Sequence, residues 1–253
     1  HGRRLAEAGA AILDIGGEST RPYSRATAEA EERARALPVV KALAAEGFTV
    51  SIDTRKPQIM RDAVAAGAVL INDVAALTYA PDSVDAARDL GTPVVLMHAQ
   101  GAPETMQDDP RYEDAALDIF DWLEARMAAC VGAGIAAERI FLDPGVGFGK
   151  THEHNLELLG SLTLFHGLGR ALVVGASRKG FIGKLTGETE PRRRMGGSLG
   201  AAIASLMQGA QIIRVHDVAE TRQAAAVWHA AMVTQSMDLD GRFTSAVVGS
   251  YAP

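Results

Sequence analysis

The chain has 253 residues, a formal net charge of −6 and a hydrophobic content of 47%. It is long enough for one large α/β domain or two small ones, and this apolar content argues against a disordered chain. The negative charge gives no reason to expect nucleic acid or an anionic membrane as a partner. The single cysteine, Cys130, excludes an intramolecular disulfide and favours a cytoplasmic location. No apolar run approaches the roughly 20 residues that a membrane-spanning helix needs.

Short apolar runs recur along the chain, with helical patterns between them. These runs are residues 11–15, 48–52, 69–71, 93–97, 139–142, 171–175 and 211–215. Their nearly continuous apolar character is typical of parallel strands that are buried on both faces. There is no linker and no repeat beyond this alternation. We therefore predict one domain over residues 1–253, with a C-terminal tail from about residue 236.

Repeated strand-then-helix units imply parallel strands joined by right-handed crossovers. A doubly wound open sheet and a closed (β/α)8 barrel both fit this pattern. The seven runs are one short of a barrel, but the chain opens in a helix, so we expect the first strand to lie upstream of His1. Polar residues at almost every strand end favour the barrel, whose active site gathers residues from all strands at one face. We predict a (β/α)8 TIM barrel whose first strand is missing from the sequence.

Polar residues at the predicted strand ends would meet at the mouth of this barrel. Asp53, Asn72 and Asp143 could hold a flat polar heterocycle, because carboxylates accept N–H donors and an amide offers a donor and an acceptor. Side chains suited to a phosphate or diphosphate are Arg21, Lys179, Arg214 and His216, with the hydroxyls of Thr20 and Ser177. Apolar surface for a second flat substrate comes from Phe148 and Pro22. The pattern predicts a ligand with a donor-rich head and an anionic tail.

Residues 142–150 join the end of a predicted strand to a glycine-rich loop. Asp143 directly follows the strand, and three glycines at alternate positions let the backbone approach a ligand closely. The ending Gly-Lys-Thr is similar to a nucleotide-binding P-loop, but that motif needs four residues between its first glycine and Gly-Lys. Pro144 occupies the required place and has no N–H for a phosphate. The stretch predicts a binding loop and argues against a nucleoside triphosphatase.

Other titratable residues fit structural roles as well as functional ones. Asp14 and Asp73 could brace neighbouring loops, and Asp217 stands where a helix N-cap belongs. Cys130 fits a packing position within a helix. The histidines do not have the spacing of a zinc site, so we predict no metal ligands among these residues.

Seven motifs in sequence order resemble the dihydropteroate synthase family. They are Asp-Ile-Gly-Gly-Glu-Ser-Thr-Arg-Pro (14–22), Ser-Ile-Asp-Thr (51–54), Ile-Asn-Asp-Val (71–74), Leu-Met-His-Ala-Gln-Gly (96–101), Leu-Asp-Pro-Gly-Val-Gly-Phe-Gly-Lys (142–150), Gly-Ala-Ser-Arg-Lys (175–179) and Arg-Val-His-Asp-Val (214–218). The resemblance extends to about Gln235. It implies a TIM barrel that joins 6-hydroxymethyl-7,8-dihydropterin diphosphate to para-aminobenzoate, giving 7,8-dihydropteroate and diphosphate in folate biosynthesis. In that family diphosphate departs first, and the aniline nitrogen attacks the resulting cation.

The resemblance also implies roles for individual residues. The pterin would be bound by Asp53, Asn72, Met97, Asp143, Lys179 and Arg214. The diphosphate would be bound by Thr20, Arg21, Arg214 and His216. The aminobenzoate pocket would be formed by Pro22, Phe148, Ser177 and Lys179. The catalytic residues would be Asp53, Asp143, Lys179, Arg214 and His216.

Cofactor and partners follow from the same resemblance. It implies Mg²⁺ bound with the diphosphate, sulfonamide drugs as inhibitors, and a homodimer. The family's asparagine that helps to hold Mg²⁺ belongs to the missing first strand. Without that strand we expect an open seam in the barrel, weak stability and little activity. Tyr23 and Ser24 stand where the family commonly has a glycine, in the loop over the aminobenzoate site.

Two other functions remain open at this point. A pterin-binding methyltransferase would keep the carboxylates and the asparagine, but it would not need the cations Arg21, Lys179 and Arg214. A catalytically silent relative would bind pterins without turnover. Pterin binding without diphosphate release from a complete chain would support the silent relative.

Overall fold

The computed structural model describes residues 1–233 and 246–251, in which strands and helices alternate. The strands are β1 (Ile12–Gly16), β2 (Val50–Asp53), β3 (Leu70–Asp73), β4 (Val94–Met97), β5 (Ile140–Asp143), β6 (Val173–Val174), β7 (Ile212–Val215) and β8 (Ala246–Tyr251). The helices are α1 (Gly2–Glu7), α2 (Glu29–Ala45), α3 (Pro57–Ala65), α4 (Ser83–Leu90), α5 (Ala115–Gly132), α6 (His152–Gly160), α7 (Gly180–Thr186), α8 (Met195–Met207) and α9 (Val218–Val233). Short 3-10 turns span Ala137–Arg139, Leu162–Leu168 and Pro191–Arg193.

The strands form one parallel sheet in the order β5-β4-β3-β2-β1-β8-β7-β6. A parallel bridge between Leu142 and Leu172 links β5 to the residue before β6, which joins the two ends of the sheet. Each of the seven strands expected from the sequence lies within two residues of its predicted limits. This is the topology of the predicted (β/α)8 barrel.

The eighth strand differs from our expectation. We placed it upstream of His1 and expected an open seam, whereas β8 lies between β1 and β7 and pairs in parallel with both. In register, Ile12 is opposite Val248 and Ile213 is opposite Val247. The free N–H and C=O groups along β1 and β7 require such a partner. The predicted tail from residue 236 therefore contains a strand, and the described residues leave no open seam between β1 and β7.

Side chains inside the barrel form two layers because successive residues of a strand point to opposite faces. The lower layer is a small apolar cluster of Ile12, Leu70, Val95, Phe141, Val173 and Ile212. The residues two positions further along these strands point the same way, and they include Met97 and the polar residues Asp14, Asn72, Asp143 and Arg214. These side chains form a second, mostly polar layer next to the apolar cluster, at the C-terminal face of the barrel.

The main hydrophobic core lies outside the barrel, between the strands and the surrounding helices. Leu13, Ile15, Ile52, Ile71 and Leu96 supply the strand side of this core, each at most 2% exposed. Cys130 of α5 is fully buried in the same core, as its predicted packing role requires. Among the described residues, no helix has both the length and the apolar character of a membrane span.

Candidate active site

Arg214 is at the centre of the polar layer in the barrel mouth. Its Nε donates to Asp14 Oδ2 (2.6 Å), and its Nη2 donates to Asp53 Oδ2 (2.7 Å). Asn72 Nδ2 donates to the same Asp14 oxygen (3.0 Å). Strands β1, β2, β3 and β7 therefore deliver one connected group of side chains. Asp53, Asn72 and Arg214, which the sequence predicted as ligand-binding residues, lie together in it.

Charge and burial perturb the groups of this layer. Burial raises the pKa of Asp53 to about 7, against the attraction of Arg214 and with added repulsion from Asp14. The pKa of Arg214 is raised because the attraction of Asp14 and Asp53 exceeds the effect of burial. Asp53 thus changes charge near neutral pH while Arg214 stays cationic, which is typical of a functional site.

Asp143 holds the glycine-rich loop that follows β5. Its Oδ1 accepts a hydrogen bond from the backbone N–H of Gly145 (2.7 Å). Burial raises the pKa of the Asp143 carboxyl, opposed by the cations Lys179 and Arg214. Gly145 has a φ of +72°, and a Cβ there would lie 1.8 Å from the His98 carbonyl oxygen. Glycine at this position therefore lets the loop pack against the segment after β4 and keeps Asp143 at the mouth.

Lys179 connects the polar layer with the apolar side of the site. It precedes α7, its Nζ donates to the carbonyl oxygen of Val146, and the same nitrogen lies 4.5 Å from the centre of the Phe148 ring. Burial lowers the pKa of Lys179 to about 8, although Asp143 attracts its charge. A cation over an aromatic face is a favourable contact. Lys179 can therefore reach both a heterocycle beside Asp143 and a second substrate beside Phe148.

His216 and Ser177 form a pair at the ends of β7 and β6. The Ser177 hydroxyl lies 3.1 Å from His216 Nδ1 and accepts from the His216 backbone N–H (3.3 Å). Burial, reinforced by Arg178, Arg214 and Arg21, lowers the pKa of His216 to about 4. At neutral pH this imidazole is uncharged, so it serves as a hydrogen-bonding group and not as a cation. Because the charge of Arg21 helps to lower this pKa, Arg21 lies on the same side of the mouth as His216.

The loop of residues 17–28 carries Thr20, Arg21 and Pro22. Its backbone is fixed to the loop after β4, because Tyr23 N donates to Pro103 O (2.8 Å) and Ala26 N donates to Glu104 Oε1 (3.1 Å). Arg21 and Pro22 are exposed, whereas Thr20 is half-buried. A cavity of about 110 Å³ lies beneath, and its lining includes Thr20, Met97 and Phe148. One residue from each predicted subsite thus borders a common cavity.

Three residues of the site make contacts that were not anticipated from the sequence. Asp14, which we considered as a brace, bonds to two predicted ligand-binding residues. Arg55 lines the cavity and pairs with buried Glu18 (3.0 Å), whose Oε1 also accepts from the Thr27 backbone N–H (2.8 Å). The motifs alone do not predict these contacts, because each contact joins residues of separate strands or loops.

Lys150 is the third unanticipated residue, and it supports the glycine-rich loop from below. Its buried Nζ lies 3.0 Å from His98 Nδ1 and donates to the Phe148 carbonyl oxygen (3.0 Å). Burial and the neighbouring Lys150 lower the pKa of His98 to about 2, so His98 stays neutral and can accept from the lysine. These contacts give Lys150 a structural role in the loop. The Asp217 carboxylate lies just before α9 and pairs with Arg178.

Known proteins share this fold. A family model described as "Pterin binding enzyme" matches residues 1–216. The barrel with this polar layer at its mouth is thus that of a pterin-binding enzyme. Dihydropteroate synthase of Escherichia coli is 45% identical over 92% of this chain and 82% of that protein. Dihydropteroate synthase of Neisseria meningitidis serogroup B is 47% identical over 91% and 82%. The chain belongs to the dihydropteroate synthase family.

Solved structures confirm the barrel. The Yersinia pestis dihydropteroate synthase in a sulfonamide drug complex has a TM-score of 0.88 and 44% identity, covering 91% of this chain and 83% of that one. The Xanthomonas albilineans enzyme with 4-aminobenzoic acid has a TM-score of 0.88 and 46% identity, covering 94% and 84%. The Xanthomonas enzyme in complex with 7,8-dihydropteroate has a TM-score of 0.84 and 42% identity, with the same coverage of 94% and 84%.

Proposed function

We propose that the protein is a transferase that condenses 6-hydroxymethyl-7,8-dihydropterin diphosphate with para-aminobenzoate. The products are 7,8-dihydropteroate, a folate precursor, and diphosphate. The observation that carries this proposal is the buried layer of Asp53, Asn72 and Asp143 beside Lys179 and Arg214. The Xanthomonas relative crystallised with 7,8-dihydropteroate and with 4-aminobenzoic acid supports both ends of the reaction.

The pterin ring would lie in the polar layer. Its amino and ring N–H groups are donors, and the carboxylates of Asp53 and Asp143 are acceptors with little competition from water. Each charge-assisted hydrogen bond of this kind contributes roughly 1.5–3 kcal/mol. Met97 from β4 offers a buried apolar side chain for the ring to pack on, at 3% exposure. We assign Asn72, Lys179 and Arg214 to the same ring.

The diphosphate would lie towards Thr20, Arg21, Arg214 and His216. Arg214 remains cationic at all working pH values because its pKa is raised. Mg²⁺ would bind with the diphosphate, since this ion usually keeps several waters and phosphate oxygens as ligands. The described residues contain no group of three or more His, Cys, Asp or Glu side chains placed to hold a metal ion. Neutral His216 would contribute a hydrogen bond to the diphosphate.

The aminobenzoate would lie against the face of Phe148. Pro22 and Ser177 border the same side of the mouth in our assignment, and Lys179 lies over the Phe148 ring. A sulfonamide drug with the same aniline group would compete for this pocket, as the Yersinia pestis drug complex suggests. This arrangement holds the aniline nitrogen beside the pterin edge.

The chemistry needs no covalent nucleophile from the protein. The carbon–oxygen bond between the pterin methylene and the diphosphate breaks, and its electron pair leaves with the diphosphate. The aniline nitrogen then donates its lone pair to the methylene carbon, and one N–H proton passes to the diphosphate or to water. Arg21 and Arg214 would stabilise charge on the leaving group, while Asp53 and Asp143 favour the electron-poor pterin. Preorganised charges of this kind lower the barrier without reorganisation.

We further propose that residues 1–253 form one domain and that the protein is a cytoplasmic homodimer. The single cysteine supports the compartment. The family resemblance supports the dimer.

Diphosphate release from the dihydropterin diphosphate, with and without para-aminobenzoate, tests the proposed function. We expect release that depends on the aminobenzoate and that a sulfonamide blocks. Pterin binding without release would identify a catalytically silent relative. The absence of pterin binding would contradict the assignment of the polar layer.

A further inference from the structure

Asp14 lies in the middle of β1 and is 1% exposed. A single oxygen, Oδ2, accepts from Arg214 Nε (2.6 Å) and from Asn72 Nδ2 (3.0 Å). The carboxylate thus connects two residues that are 200 and 58 positions away in the chain. Both partners belong to the layer that we assign to the pterin.

The bond to Asn72 sets the orientation of its amide. Because Nδ2 is held by Asp14, the Asn72 carbonyl oxygen is the end that is free to accept from a ligand. The bonds to Arg214 fix the plane of the guanidinium, since Nε is held by Asp14 and Nη2 by Asp53. Because the guanidinium is planar and rigid, the directions of the remaining N–H groups of Arg214 are then fixed as well. The Asp14 carboxylate therefore determines which hydrogen-bonding groups of Asn72 and Arg214 face the mouth.

Structural stability alone does not explain a carboxylate at this position. Asp14 Oδ1 is buried and has no hydrogen-bond partner among the described residues, and neither does Ser51 Oγ. Ser51 is the residue opposite Asp14 in the pairing of β1 with β2. An unsatisfied buried polar group costs about 1–3 kcal/mol, and well-packed apolar residues often replace buried ion pairs without loss. A carboxylate at position 14 therefore lowers the stability of the fold, and a role in ligand recognition would explain its presence.

We propose that Asp14 is a positioning residue for pterin recognition, which holds Asn72 as an acceptor and Arg214 in a fixed plane for the ligand. This inference rests on the proposed function, because the pterin is the ligand in question. Asp14 itself makes no bond to the substrate in this scheme. Its effect reaches the substrate through Asn72 and Arg214, so pterin binding depends on it and aminobenzoate binding does not.

A second consequence concerns the charge of Asp53. The charged groups that act on Asp53 or are acted on by it are Asp14 of β1, Glu32 of α2, Asp73 of β3, Lys179 before α7 and Arg214 of β7. Removal of the Asp14 charge would remove a repulsion and leave Asp53 as the one carboxylate hydrogen-bonded to Arg214 among the described residues. The pKa of Asp53 would then fall from about 7, and the pH at which pterin binding weakens would fall with it.

The test compares the unmodified protein with Asp14→Asn and with the control Ser51→Ala, which removes the unpaired neighbour outside the network. Titration calorimetry with the dihydropterin diphosphate measures affinity across pH, and steady-state assays give the KM of para-aminobenzoate. For Asp14→Asn we expect at least about tenfold weaker pterin binding (about 1.4 kcal/mol), a shift of the acidic limb to lower pH and an unchanged aminobenzoate KM. Ser51→Ala should leave all three unchanged.

A folded Asp14→Asn protein with unchanged pterin affinity and an unchanged acidic limb would overturn the inference. Equal losses for both substrates would also overturn it, since they would indicate a general structural defect. If Asp14→Asn does not fold, Asp14→Glu keeps the charge but moves the oxygens by one methylene. That variant should lose pterin affinity and keep the acidic limb, and retained affinity would overturn the inference. Failure of the unmodified protein to bind the pterin would instead contradict the proposed function.

Discussion

Arg214 Nη2 lies 2.7 Å from Asp53 Oδ2, although 161 positions separate the two residues in the chain. The contact joins β7 to β2 across the mouth of the barrel. It places a permanent cation beside a carboxyl whose pKa of about 7 is set first by burial. The charge state of the polar layer therefore changes in the neutral pH range.

Pterin affinity should rise with pH through about 7 and fall above about 8. Below pH 7 Asp53 is protonated, so a ligand that needs its carboxylate must displace a proton. Above pH 8 Lys179 loses its positive charge, because burial lowers its pKa to about 8. Calorimetry in buffers of different ionisation enthalpy would detect proton release below pH 7. Asp53→Asn should bind weakly and without the acidic limb, whereas a flat profile for the unmodified protein would contradict the assignment.

Asp143→Asn should abolish detectable pterin binding. The amide oxygen of asparagine can still accept from the Gly145 N–H, which Asp143 does at 2.7 Å, so the loop should keep its shape. The other end becomes an N–H₂ donor and would face the donors of the pterin. Calorimetry with the dihydropterin diphosphate measures the loss, and circular dichroism checks folding. An affinity within about threefold of the unmodified protein (roughly 0.6 kcal/mol) would show that the assigned role is wrong.

The fold was largely predictable because its strands carry local signals. Short apolar runs bounded by helices gave seven strands to within two residues, and their polar ends indicated a common mouth. The eighth strand was missed, because its place between β1 and β7 is decided by pairing over more than 200 positions. The short apolar run at the start of β8, Ala-Val-Val, does not by itself determine which strands it pairs with.

The site was predictable in its membership but not in its internal bonds. Asp53, Asn72 and Asp143 lie at or near the ends of β2, β3 and β5, and that position alone predicted that they meet at the mouth. The link from Asp14 to Arg214 spans 200 positions, and the support of Lys150 for Phe148 depends on how the loop turns. The neutral state of His216 follows from burial and three surrounding arginines, which sequence does not bring together.

Tyr23→Gly should raise the free energy of unfolding by roughly 0.5 kcal/mol. Tyr23 has a φ of +64°, a conformation that costs an L-residue about 1–2 kcal/mol, while glycine loses about 0.5–1 kcal/mol through its freer unfolded chain. Tyr23 is 65% exposed, so removal of its side chain loses little packing, and the backbone hydrogen bond to Pro103 remains. Denaturant unfolding measures the change. The control Arg25→Gly, at an exposed position of the same loop without positive φ, should lower stability, and equal effects would contradict the strain argument.

Arg126→Met should lower the free energy of unfolding by about 2–3 kcal/mol. Ala76 and Leu77 are buried, with φ values of 48° and 62°, and such strain persists only where the surroundings hold it. Arg126 of α5 holds them by donating to the carbonyl oxygens of Ala76 (2.5 Å) and Leu77 (2.9 Å). From the other side, the buried Asp73 carboxylate accepts the Leu77 N–H (2.7 Å).

A matched control separates this role from an ordinary bond between an arginine and a carbonyl group. Arg139 donates to the carbonyl oxygen of Gly91, where glycine already permits the left-handed conformation. Arg139→Met should therefore cost less than about 1 kcal/mol. Because Val74 and Ala75 line the cavity beside Met97, only Arg126→Met should also raise the substrate KM values. Equal losses of stability and unchanged KM values in the two variants would show that Arg126 does not maintain the strained loop.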